Sequence, residues 1–113
     1  MPDLHPGAED DITAQLAYYL DKSPMTAERF EAALERAMNR IDAEPKAGSP
    51  HRHGTLKQRI KGFRRLRVIY KGWGASIIVY AMAHGSRDED YWVRRLEDGW
   101  SPGQGDEEPE DGL

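Results

Sequence analysis

Residues 64–84 read RRLRVIYKGWGASIIVYAMAH, and this stretch decides the fold. From Phe63 to Tyr70 the side chains alternate: Leu66, Val68 and Tyr70 fall on one side, Arg65, Arg67 and Ile69 on the other. Successive side chains of a strand point to opposite faces, so this spacing predicts a strand with one apolar and one largely cationic face. Lys71-Gly72-Trp73-Gly74 offers glycines free to take positive φ and reads as a hairpin turn. Ala75 to Ala83, ASIIVYAMA, is almost wholly apolar and β-rich, as an inner strand should be. Strict alternation there places Ile77, Val79, Ala81 and Ala83 on one side and Ser76, Ile78, Tyr80, Met82 and His84 on the other. Upstream, Gly54 to Lys61 alternates too, with Lys57, Arg59 and Lys61 opposed to Leu56, Gln58 and Ile60; Gly62 then marks a bulge or a turn. Downstream, Asp90 to Leu96 forms a short last element, helix or strand.

Two helices precede the strands. The first runs from about Pro6 to Lys22, with acids at Glu9, Asp10 and Asp11 near its positive end and an apolar stripe of Ile12, Leu16, Tyr19 and Leu20. Ser23-Pro24 breaks it. The second runs from Pro24 or Met25 to Ala43, its stripe made of Ala27, Phe30, Leu34, Ala37, Met38 and Ile41, before Pro45, Gly48 and Pro50. So short a link makes an antiparallel helical hairpin. The expected fold is α+β: an N-terminal two-helix hairpin packed on one face of a three- to four-stranded antiparallel sheet. Leu66, Val68, Ile77 and Val79 would lie under the helices. Lys57, Arg59, Arg65, Arg67, Tyr80 and His84 would occupy the opposite, open face. A one-residue slip would exchange the faces.

The chain has 113 residues, 38% hydrophobic and 32% charged. That length suits one domain. No apolar run reaches the roughly 18–20 residues of a membrane helix, and the N-terminus lacks a signal-peptide pattern. A soluble, cytoplasmic protein is expected. The absence of cysteine excludes disulfides, thiolate zinc sites and a cysteine nucleophile. The net charge of -4 hides an uneven distribution. Residues 1–51 carry five basic and ten acidic side chains, residues 52–95 eleven and three, and residues 96–113 none and seven. A basic middle of this kind attracts phosphate backbones or acidic peptide segments. The Gly-, Pro- and acid-rich stretch 97–113 buries too little to offset its ordering entropy, so an acidic disordered tail is expected after a domain spanning residues 1–96.

The order helix, helix, short basic strand, RRLRVIY, hairpin, IIVYAMAHGSRD resembles the RelE/ParE superfamily of type II toxin–antitoxin toxins. The second helix with its terminating proline, Arg67 three residues before Tyr70, and His84-Gly85-Ser86-Arg87-Asp88 followed by Tyr91-Trp92 carry the resemblance. It implies a growth-inhibiting toxin, neutralised by a cognate antitoxin whose acidic or amphipathic C-terminal segment wraps it. The target it implies is either DNA gyrase, by binding, or ribosome-bound mRNA, by cleavage. An inactive module that only binds nucleic acid or an antitoxin is the alternative. The resemblance makes Arg67 a phosphate contact and sets Tyr91 near a family tyrosine. Arg87 follows the inner strand closely enough to reach the same phosphate, and His84 has a side chain suited to acid–base work. Arg67, His84, Arg87 and Tyr91 are therefore the candidate catalytic residues, with Lys57, Arg59, Lys61 and Arg65 as RNA- or antitoxin-binding residues. No acid lies between Pro45 and Arg87, so the glutamate base of some ribonuclease members has no counterpart here. No cofactor is expected. His51 and His53 lack a third ligand nearby and read as loop residues rather than a metal site.

Overall fold

In the computed structural model, which describes residues 2–85 and 90–103, a short strand β1 (Asp3–Leu4) leads into helix α1 (Pro6–Lys22). The His5 ring caps α1, its Nδ1 accepting the Gly7 N–H at 2.9 Å. Ser23 both ends α1 and starts α2 (Pro24–Ala43): its N–H donates to the Tyr19 carbonyl at 2.7 Å, and its Oγ accepts from the Thr26 N–H at 3.3 Å. One shared residue leaves the second helix no course but to fold back, which makes the expected hairpin. Phe30, Ala33, Ala37, Met38 and Ile41 of α2 pack into the main core. Tyr19, Phe30 and Phe63 meet with ring centroids 5.3–5.7 Å apart, pinning the hairpin to the sheet. Leu20, expected on the α1 stripe, is instead 53% exposed, and Ala8 is buried in its stead.

The sheet has five strands in the order β1-β5-β4-β3-β2, with β2 at Ser49–Pro50, β3 at Leu56–Arg59, β4 at Leu66–Trp73 and β5 at Ser76–His84. Among the described residues only β1, parallel to β5, departs from antiparallel pairing. The two additions to the expected three or four strands are edge strands of two residues each, too short to show a period. The β4–β5 turn is tighter than expected. Trp73 pairs with Ser76, leaving Gly74-Ala75 as the loop, with Gly74 at φ 60°. Residues 60–65 belong to neither strand: Gly62 takes φ 88° in the connection, and the Leu66 N–H closes a turn onto Phe63.

One irregularity revises the expected faces. Ile69 pairs with Ala81 but Tyr70 pairs with Val79, so Tyr80 is an extra residue in β5. Such a bulge reverses the alternation beyond it. Leu66, Val68, Tyr70 and Val79 lie under the helices as expected, joined after the bulge by Met82. Ala81 and Ala83 turn outward to meet Ile69 and Trp92. His84, opposite Leu66, therefore sits on the helix side, and Tyr80 is 6% exposed; both were expected on an open outer face. Nor is that outer face bare. Trp92, buried to 1% at the head of a 3-10 turn (Val93–Leu96), covers its β4–β5 half. Lys57, Arg59 and Arg67 hold the remainder.

Candidate functional site

The register of β3 and β4 builds a basic surface on the outer face. Lys57 stands opposite Ile69, and Arg59 opposite Arg67, which in turn faces Ala83. Cross-strand partners share a side, so all three basic residues point away from the helices. Arg67 is half-buried, and its Nε is buried with no hydrogen-bond partner among the described residues. The other predicted basic contacts diverge from this surface. Lys61 lies past the end of β3 and lines a groove with Arg29, Arg36 and Phe63. Arg65 sits in the turn before β4, beside His84 and Tyr19, while its carbonyl accepts the Gly85 N–H at 2.8 Å.

The proposed acid–base residues are elsewhere. His84 lines an open cleft between α1 and the end of β5, with Asp10, Gln15, Tyr18, Tyr19 and Met82. Tyr91 is held by the fold: its hydroxyl lies 3.0 Å from Asp11 Oδ2 and 3.3 Å from the Met82 carbonyl. Arg87 falls outside the described residues. Arg67 and His84 thus lie on opposite sides of one sheet, and the three described candidates, Arg67, His84 and Tyr91, do not meet around a common point.

Two polar clusters on the β5 side were not anticipated. Beyond β1 the edge of β5 is sealed by side chains. Arg95 Nη1 donates to the Tyr80 carbonyl at 2.9 Å and pairs with Asp11 Oδ2 at 2.8 Å, while Asp11 Oδ2 accepts the Met82 N–H at 3.2 Å. The signal was present in α1: Asp11 falls on the buried stripe with Ala8, and a carboxylate there demands partners. The second cluster ties both ends of the chain. His5 Nε2 lies 2.8 Å from Asp98 Oδ2, and the rings of Tyr80 and Trp100 flank His5 at 5.8 and 5.2 Å. Burial, then the Asp98 charge, raises the Tyr80 pKa. At Asp98 partial desolvation opposes ionisation, but the Trp100 N–H and His5 outweigh it and hold the carboxyl below its ordinary value. The tail was expected to begin at Glu97; residues 97–103 are described and carry this cluster, whereas 104–113 lie outside the described residues.

Among the described residues no group of three or more His, Asp or Glu side chains is placed to hold a metal ion. His51 and His53 instead lie against Trp92, with ring centroids 5.8 and 6.1 Å away. No described helix is long and apolar enough to cross a membrane.

A two-helix hairpin on a mostly antiparallel sheet, with a partly cationic outer face, defines a small α+β protein. The family model of the ParE toxin of the type II toxin–antitoxin system, parDE, matches residues 3–89, and the chain belongs to that family. It is a type II toxin–antitoxin toxin, and the family implies a cognate antitoxin as partner. No curated protein matches the sequence.

Proposed function

We propose that the protein inhibits growth by binding DNA gyrase in the cytoplasm, and not by cleaving ribosome-bound mRNA. The observation that carries this reading is the separation of Arg67 from His84 by the sheet itself. Transesterification at an RNA phosphate needs a base, an acid and a cation converging on a single group. With Arg67 outward, His84 on the helix side and Tyr91 bonded to Asp11 and Met82, these roles fall in places that no single phosphate can touch. Binding makes no such demand. A rigid sheet presenting Lys57, Arg59 and Arg67 needs only a complementary acidic surface.

Purified protein should block supercoiling by purified gyrase, and the cognate antitoxin should relieve the block. In cells, induction without the antitoxin should lower colony counts while primer extension finds transcripts intact. Ribosome-dependent cleavage that vanishes in Arg67→Ala would overturn the proposal, and undiminished viability would defeat any toxin reading.

A further inference from the structure

The basic outer surface is poorly balanced by its own surroundings. Arg59 stands directly across from Arg67, and like charges so placed repel. A guanidinium N–H of Arg67 is out of water without an acceptor among the described residues. Both features ask for an anion on this face. The C-terminal arm already supplies one nearby: Asp90 Oδ1 reaches Arg52 Nη1 at 3.1 Å and His53 Nε2 at 3.7 Å, at the start of the basic block.

We propose that Lys57, Arg59 and Arg67 form a docking surface for an acidic peptide segment, and that its occupant in the isolated protein is the chain's own Asp106–Asp111, DEEPED. The charge fits: five carboxylates in six residues face three cations, none of them in a salt bridge with a described acid, and Glu44 is the single described acid in the pocket that Lys57 and Arg59 line. The reach fits as well. His5 follows β1 directly, so its contacts with Asp98 and Trp100 root the arm at the β1 edge. From β1 to β3 is about 14 Å across the sheet, and Arg67 lies about 13 Å further along it, at strand spacings near 4.8 Å and rises near 3.3 Å per residue. Residues 104–111, extended, span up to about 26 Å. The α1 side of the molecule, where Asp10 lines the cleft, would repel the same segment.

Carbodiimide cross-linking tests this, because it joins carboxylates to lysine amines in contact, and Lys57 is the lysine on this surface. The full chain, mixed with an equal amount of its ¹⁵N-labelled copy, should give same-isotope links from residues 106–111 to Lys57. These should fall at least about fivefold in roughly 0.5 M salt, where screening shortens the reach of the charges. Links confined to Lys22, Lys46, Lys61 or Lys71, links between isotopes, or salt-insensitive links would each overturn the proposal. Heparin serves as a polyanion probe in a second arm. A chain ending at Gly103 should bind it several-fold more tightly than the full chain at low salt, and Arg59→Gln with Arg67→Gln should abolish the difference. Equal affinity of the long and short chains would also reject it.

Discussion

Beneath the helices the sheet is covered by a continuous apolar layer, built mainly from the two capped helices and from β4 and β5, with Ile60 and Phe63 added from the β3–β4 connection. On the other side, one tryptophan from a 3-10 turn covers half of the surface and basic side chains hold the rest. The inner closure depends on apolar area, which is insensitive to small shifts. The outer one depends on Trp92 being held in place by a polar strap: Arg95 on Asp11, Tyr91 on Asp11 and Met82. The sheet thus gives one whole face to apolar packing and divides the other between a buried tryptophan and a basic surface.

Trp92→Ala and Phe30→Ala put that contrast to its hardest test. Each should cost about 3–5 kcal/mol in urea unfolding, because each empties a fully buried aromatic site. If Trp92→Ala costs under about 1 kcal/mol, the outer layer is an accessory and the comparison fails. Asp11→Ala should cost about 2–4 kcal/mol, by leaving the Met82 N–H without its side-chain acceptor and the Arg95 guanidinium without its counter-charge, held by the Tyr80 carbonyl alone. A double-mutant cycle with Arg95→Ala should show strong coupling; additive losses would mean that the strap is not a unit. Arg67→Met should behave in the opposite sense. It removes a buried N–H that has no partner among the described residues, so stability should hold or rise by up to about 1 kcal/mol while the proposed gyrase inhibition falls. A parallel loss of both would place Arg67 in the structural half of the face.

The smallest effect is at the arm. The Asp98 carboxyl is held below its usual range in the folded chain, so its contribution is fully present above its unfolded value near pH 4. It fades as pH falls through the lowered value. The Trp100 indole resonance should shift in that acid window, and Asp98→Asn should remove the transition. An unchanged titration would detach residues 98–100 from His5.

Both helices are readable from sequence to within about a residue because prolines and a capping serine mark their ends, and because their stripes repeat over several turns. The central hairpin is equally plain. What strict alternation cannot register is a bulge: nothing in IIVYAMA distinguishes Tyr80 from its neighbours, yet that one residue moves His84 from the outer face to the helix side. For the same reason alternation predicts the outward face of the basic residues only where β3 and β4 pair without interruption, at Lys57, Arg59 and Arg67. Lys61 and Arg65 sit in turns, where side-chain direction follows loop geometry and not period. The polar strap joins residues some eighty positions apart, and only folding brings them together.

The sealed margin of β5 has a consequence for how the chain tolerates shortening. An exposed strand edge is a template for another copy, and this edge is closed by an arginine, a tyrosine and an aspartate where other sheets use a further strand. A protein cut after Asp90 would keep both helices and all five strands while losing Tyr91 and Arg95. Its failing would be gregariousness: open carbonyls and amides beside Tyr80 and Met82, ready to zip one molecule onto the next.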